Sequence, residues 1–111
     1  MESRTGKRPD QRILRISGRL TFIFPTAGLR FLEQVRVETA PVVILDLSGV
    51  VSCDSSGIGA LMQIYDTFKR ENRRLALACI NERVQAILVI AKVFSYFNVF
   101  RTVEEAEETL T

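Results

Sequence analysis

The sequence predicts an α/β domain with a mixed, mostly parallel central sheet of four or five strands and about four helices, in the order ββαβαβαβα. Two short apolar runs, at residues 42–48 and 75–80, are nearly continuous, as in parallel strands that are covered on both faces. Each run is followed by a longer segment with apolar residues at steps of three and four, which is typical of amphipathic helices. A chain of 111 residues has room for one such domain.

The start of the chain is polar, and we predict a flexible N-terminal tail over residues 1–10 and a single domain over residues 11–111. The domain is expected to open with a hairpin, whose strands cover residues 12–16 and 19–24. Gly18 lies between them and can supply the positive φ that a tight turn requires.

Helix signals recur along the rest of the chain. Thr26 is a candidate N-cap for a helix that reaches about Glu38, and a long helix is predicted over residues 56–70. Asn72 is a candidate left-handed terminator of that long helix, and Asn81 is a candidate cap for the next one.

The end of the chain is predicted to hold a short last strand and one more helix. The strand lies near Val99, between aromatic residues. Thr102 and Glu105 then fit a capping box, with acidic residues in the first turn of the final helix.

The strand-to-helix turn Asp-Ser-Ser-Gly-Ile-Gly, at residues 54–59, is the candidate functional site. One interpretation is structural: Asp54 or Ser55 caps the helix, and Gly57 and Gly59 let it approach the sheet closely. The other is a phosphate site, because two hydroxyls at a helix N-terminus suit a phosphate that is bound or covalently attached. The nucleotide-binding patterns G-x-G-x-x-G and G-x-x-x-x-G-K-[ST] are both absent.

Composition excludes several classes of function. With no histidine, the chain lacks serine-hydrolase triads, histidine metal sites and phosphohistidine relays, so we predict no catalytic residue, cofactor or metal. Cys53 is interpreted as a small buried hydrophobe rather than a reactive thiol. The net charge of +2 is too small to indicate direct nucleic-acid binding, and no apolar run is long enough for a membrane span. Two cysteines make no disulfide framework, so a cytoplasmic location is expected.

The turn at residues 54–59, preceded by Val-Ile-Leu-Asp-Leu-Ser-Gly-Val at residues 43–50, resembles the STAS domain of bacterial anti-sigma factor antagonists. The resemblance extends over residues 13–106. It implies a non-enzymatic partner switch in bacterial signalling and transcription regulation. The unmodified protein would bind an anti-sigma factor serine kinase, phosphorylation by that kinase would release it, and a phosphatase would reverse the modification.

The resemblance also assigns roles to single residues. Asp54 matches the aspartate of the motif, Ser55 the phosphorylated serine and Ser56 the second hydroxyl. The tail of the motif is matched by Gly57, Ile58 and Gly59.

The segment after the predicted hairpin departs from the family pattern. Thr21 stands where the family usually has an aspartate, and the residues that follow it are unusually apolar. Either Phe22 and Phe24 belong to the core, or they form a partner-contact patch together with Thr21.

A second hypothesis keeps the fold without the switch. The chain would then be a non-catalytic STAS assembly subunit of a lipid-transport ABC complex or of a stressosome-like scaffold. Binding of a small ligand at the same turn and a weak homodimer also stay open.

Overall fold

The computed structural model describes residues 2–21, 33–35 and 37–110. One five-stranded sheet has the order β1-β2-β3-β4-β5. Its strands are β1 (Glu2–Thr5), β2 (Gln11–Leu20), β3 (Val42–Cys53), β4 (Arg74–Ala78) and β5 (Asn98–Phe100). The helices that can be bounded within the described residues are α1 (Ser55–Arg70), α2 (Glu82–Ile90) and α3 (Val103–Thr109), with a short 3-10 helix at Phe94–Tyr96. Residues 33–35 are also helical, so the predicted fold class and element order are confirmed.

The sheet is mixed, since β1 pairs with β2 antiparallel and every other pair of neighbours is parallel. Its central strand, β3, buries a β-branched apolar run, as a strand covered on both faces requires. One face packs against α1 and α2, which contribute residues such as Leu61 and Leu88. The opposite face packs against α3 through Val103, Ala106 and Leu110. Helices on both faces therefore leave the carboxyl ends of the parallel strands as an accessible edge.

The hairpin predicted around Gly18 is wrong. Residues 11–20 form a single strand, β2, which runs parallel to β3. Gly18 does adopt a positive φ, of 90°, but it lies where the pairing of β2 with β3 shifts register. A glycine with this backbone conformation serves a bulge as well as a turn, so the local sequence could not separate the two.

The antiparallel pair of the fold lies further upstream instead. Glu2–Thr5, inside the segment predicted to be a flexible tail, forms the edge strand β1 and pairs with β2 from Glu2↔Arg15 to Thr5↔Arg12. All four side chains of β1 are exposed, so the strand carries no apolar alternation that would have revealed it.

Most helix boundaries agree with the sequence predictions. Asn72, just beyond α1, has a φ of 55°, and Asn81 caps α2 by accepting a hydrogen bond from the Val84 N–H at 2.8 Å. Thr102 caps α3 through the Glu105 N–H at 3.1 Å, and β5 includes the predicted strand position Val99. Of the helix predicted from Thr26, only part lies inside the described residues, and there Val35 is fully buried.

A buried polar side chain ties the β1–β2 connection to the last helix. Gln11 is 0% exposed, and its Nε2 donates to the Glu107 carbonyl at 2.8 Å and to the Leu110 carbonyl at 3.2 Å. Its Oε1 accepts from the Arg8 N–H at 3.2 Å, and the Lys7 N–H donates to the Glu107 carboxylate. Gln11 thus satisfies carbonyls at the end of α3 that have no partner within the helix.

Candidate functional site

The site is the turn that joins β3 to α1, and its geometry begins with Asp54. This residue has an extended backbone (φ −121°, ψ −170°) and is the N-cap of α1. One carboxylate oxygen, Oδ1, accepts from the Ser56 N–H at 2.9 Å and from the Gly57 N–H at 3.2 Å. The same oxygen accepts from the Ser56 hydroxyl at 2.5 Å. Of the two capping residues that the sequence left open, Asp54 is the one observed.

These hydrogen bonds also set the charge of the turn. The Ser56 hydroxyl, as the largest influence, holds the pKa of Asp54 below its usual value, and the backbone N–H groups of Gly57 and Ser56 act in the same direction. Desolvation opposes them but is outweighed. Asp54 therefore carries a negative charge at neutral pH, next to the positive end of the α1 dipole.

The two serine hydroxyls of the turn differ in their surroundings. Ser56 is half-buried, and its hydroxyl donates to Asp54. Ser55 is the first residue of α1 and is exposed, and its hydroxyl makes no hydrogen bond with any of the residues that the structure describes. Ser55 is therefore the more exposed of the two serines, and the Ser56 hydroxyl is the one engaged with Asp54. The first turn of α1 contains no acidic residue, so added negative charge at Ser55 would meet repulsion mainly from Asp54.

The two glycines of the motif have different roles, which corrects the expectation that both allow close packing. A Cβ placed on Gly57 would lie 2.1 Å from the Leu20 carbonyl oxygen and 2.8 Å from the Cys53 sulfur. A Cβ on Gly59 would meet nothing within 4 Å. Only Gly57 is therefore needed for the close approach of α1 to the end of β2. The Leu20 carbonyl that it faces also accepts a hydrogen bond from the Asp54 N–H at 3.4 Å.

Cys53 lies directly before the turn and is 7% exposed, which confirms its interpretation as a small buried hydrophobe. Burial, together with the negative charge of Asp54, raises the pKa of the Cys53 thiol to about 11. The thiol is therefore protonated at neutral pH and has little nucleophilic character.

The candidate partner-contact residues are only partly described. Thr21 is half-buried and directly follows Leu20, whose carbonyl touches the turn, so Thr21 lies near the site. Phe22 and Phe24 lie outside the described residues.

Sequence reasoning missed a second role of Asn81. Besides capping α2, its side-chain amide donates to the carbonyls of Val50 and Val51, shortly before the turn. Asparagine is a common N-cap, and nothing in the local sequence indicates that its amide group reaches another strand.

Neither a metal-binding cluster nor a membrane-spanning helix is found among the described residues. Across residues 2–21, 33–35 and 37–110, no three histidine, cysteine, aspartate or glutamate side chains lie close enough to hold a metal ion together. No helix in this described part of the chain combines the length and the apolar character needed to cross a membrane.

Comparison with solved structures shows that the fold is shared with several proteins. A candidate anti-sigma factor antagonist from Thermotoga maritima aligns over 97% of this chain and 92% of its own, with 22% identity and a TM-score of 0.80. The anti-sigma factor antagonist SpoIIAA in its unphosphorylated form covers 90% of this chain and 87% of its own, with 16% identity and a TM-score of 0.73. The STAS domain of a SulP transporter from Vibrio cholerae covers 88% of this chain and 78% of its own, with 24% identity and a TM-score of 0.70.

At these identities the structural likeness establishes the fold and leaves the function open. The sequence itself matches the model of the STAS domain over residues 3–106, which include the whole turn and every strand from β2 to β5. The chain therefore belongs to the STAS domain family.

Proposed function

We propose that this chain is an anti-sigma factor antagonist that acts as a phosphorylation-controlled partner switch in the bacterial cytoplasm. In its unmodified form it binds an anti-sigma factor that is also a serine kinase, and this binding frees a sigma factor. The kinase phosphorylates Ser55 and is thereby released, and a phosphatase restores the unmodified protein. The chain itself performs no catalysis.

The observation that carries the proposal is the contrast between the two serines. Ser55 is an exposed residue, whereas Ser56 is half-buried and its hydroxyl donates to the charged cap Asp54. A kinase can reach an exposed hydroxyl at the start of a helix without unfolding the helix. The STAS family membership and the shared fold of SpoIIAA support the same assignment.

Electrostatics explains how one phosphate could control binding. Phosphorylation adds about −1.5 to −2 charges at pH 7. At the N-terminus of α1 the helix dipole favours negative charge, so the domain is expected to stay folded. A partner that covers the turn would have to desolvate the phosphate beside the negative charge of Asp54. A buried charge without a partner costs roughly 2–5 kcal/mol, which corresponds to a loss of about thirtyfold or more in affinity.

Phosphosite mapping tests the proposal. The wild type, Ser55→Ala and Ser56→Ala are each incubated with an anti-sigma factor serine kinase and Mg-ATP, then digested and analysed by mass spectrometry. We expect one phosphate on Ser55 in the wild type and in Ser56→Ala, and none in Ser55→Ala. Phosphate on Ser56 instead of Ser55 would show that Ser56 is the phosphorylated residue. As a control, the kinase must phosphorylate its own antagonist under the same conditions. If it does so and none of the three proteins gains phosphate, the proposed switch is contradicted.

A second candidate function is a STAS module that assembles with a transporter or a scaffold and needs no phosphorylation. The fold that the chain shares with the STAS domain of a SulP transporter favours keeping this candidate. A lipid-transport ABC complex and a stressosome-like scaffold belong to the same class. The two functions are separated by co-purification of Ser55→Ala and Ser55→Asp, because an assembly subunit would retain its partner in both variants.

A further inference from the structure

The strand that leads into the turn extends well beyond its neighbour. β4 pairs with β3 only from Val42↔Arg74 to Asp46↔Ala78. From residue 47 to residue 53, β3 is therefore hydrogen-bonded as a strand on one side only, to β2. The edge that faces away from β2 would leave backbone carbonyls unpaired just before the candidate phosphorylation site.

The same part of β3 is also irregular. Gly18 pairs with Val50, but the next residue of β2, Arg19, pairs with Ser52. Val51 is therefore an extra residue, which makes a β-bulge three positions before Asp54. A bulge bends its strand and interrupts the ladder, so the direction in which the chain enters the turn depends on how the bulge is held.

Asn81 holds this bulge from the other side. Its Nδ2 donates to the Val50 carbonyl at 3.0 Å and to the Val51 carbonyl at 3.2 Å. Its Oδ1 accepts from the Val84 N–H at 2.8 Å, so one amide joins the bulge of β3 to the first turn of α2. The connection from β4 to Asn81 includes Cys79, which has a left-handed φ of 61° and donates its N–H to the Phe100 carbonyl at 3.1 Å.

We propose that Asn81 is a positioning residue for the phosphoacceptor: it fixes the bulge of β3 and thereby the placement of the Ser55 hydroxyl at the start of α1. The hydrogen bonds of Asn81 are independent of the proposed function, whereas the expected effect on phosphorylation rests on the proposed function of Ser55. An N-cap alone would not require asparagine, because serine, threonine and aspartate cap helices comparably well. Among these residues only asparagine has both an amide donor for the strand and an oxygen acceptor for the helix.

The variant Asn81→Asp separates the two roles. Aspartate keeps an acceptor for the Val84 N–H but replaces the amide donor with an oxygen that repels the carbonyls of Val50 and Val51. Asn81→Ser is the uncharged counterpart, because serine still caps α2 but its side chain is too short to reach the strand. Thr102→Ala is the matched control, since it removes the hydrogen bond that caps α3 and leaves the hydrogen bonds from Asn81 to β3 in place.

Hydrogen exchange of the unmodified protein is the first measurement. In both Asn81 variants we expect the Asp54 and Gly57 amides to exchange about tenfold faster than in the wild type, because two hydrogen bonds that hold the bulge are lost. In Thr102→Ala these two amides should exchange at the wild-type rate. Wild-type exchange at Asp54 and Gly57 in Asn81→Ser would overturn the proposal.

Steady-state phosphorylation by the anti-sigma factor kinase, with this protein as the substrate, is the second measurement. A misplaced hydroxyl should lower kcat on the order of tenfold or more, with little change in KM because the docking surface is intact. Thr102→Ala should keep the wild-type kcat. Unchanged kcat in both Asn81 variants would contradict the positioning role. If the wild type takes up no phosphate, the proposed function fails, and hydrogen exchange alone decides whether Asn81 orders the turn.

Discussion

Replacing Gly57 with alanine tests how closely α1 approaches the end of β2. The added methyl group would lie 2.1 Å from the Leu20 carbonyl oxygen, whereas ordinary contact begins at 3.4 Å. It would also lie 2.9 Å from the Leu20 Cβ, so no rotation of a flexible side chain relieves the clash. The start of the helix must therefore move, and overpacking of this kind costs about 1–3 kcal/mol of folding free energy.

Gly59→Ala is the matched control, because it makes the same chemical change two residues further along the same helix. Its methyl group would meet nothing within 4 Å. Alanine is favoured over glycine inside a helix by about 0.5–1 kcal/mol, so this variant should be more stable than the wild type. Because this preference for alanine is common to both substitutions, the two variants should differ by the overpacking cost alone, roughly 1–3 kcal/mol.

Urea denaturation, followed by far-ultraviolet circular dichroism, measures this difference. With similar m-values for both variants, the midpoint of Gly57→Ala should fall below that of the wild type, and the midpoint of Gly59→Ala should lie above it. Equal midpoints for the two variants would refute the close contact between Gly57 and Leu20.

Three further predictions concern the surroundings of the turn and the C-terminal helix. Because the pKa of Asp54 is lowered in the folded protein, its ionised form stabilises the fold above the unfolded value of about 3.9. The difference in Tm between the wild type and Asp54→Asn should therefore shrink as the pH falls through the folded pKa, and a pH-independent difference would contradict this. Gln11→Leu should cost about 1–3 kcal/mol in urea denaturation by leaving the Glu107 and Leu110 carbonyls unpaired, and wild-type stability would show that they find other partners. Cys53, with a pKa of about 11, should react slowly with a thiol reagent at pH 8 until urea unfolds the protein, whereas fast reaction of the native protein would show that it is accessible.

Much of the fold can be predicted from the sequence, because the strongest sequence signals for it are local. The first part of the central strand β3, residues 42–45, is a continuous run of β-branched and aliphatic residues, and all four are buried. Such a run is typical of a strand that is covered on both faces. The apolar spacing in α1 predicts one face with Ile58, Leu61, Met62, Tyr65 and Phe68. Ile58, Leu61 and Phe68 are buried, and Met62 and Tyr65 are half-buried.

The bulge at Gly18 and the edge strand β1 could not be predicted, because both depend on contacts between distant parts of the chain. The conformation of Gly18 suits a turn or a bulge, and only its register with β3 decides between them. The β1 strand exposes all its side chains, so pairing with β2, rather than a hydrophobic pattern, defines it.

The different roles of Gly57 and Gly59 can be predicted in part from the sequence. Gly57 lies four residues before Leu61 and seven before Ile64, so it belongs to the buried face of α1, whereas Gly59 does not. The apolar face of the helix, continued through its first turn, therefore distinguishes the two glycines. The contact of Asn81 with β3 had no such signal, because it joins residues 30 and 31 positions apart.

We propose that phosphate on Ser55 controls binding to an anti-sigma factor kinase. Isothermal titration measures this control, with the kinase titrated with the unmodified protein, with the Ser55-phosphorylated protein, and with the variants Ser55→Ala and Ser55→Asp. Circular dichroism of each sample verifies that it is folded.

We expect Ser55→Ala to bind like the unmodified protein, and the phosphorylated protein to bind at least about thirtyfold more weakly. Ser55→Asp should show a smaller loss, because a carboxylate carries less charge than a phosphate. Equal affinity of the folded phosphorylated and unmodified proteins would show that phosphate on Ser55 does not control this binding.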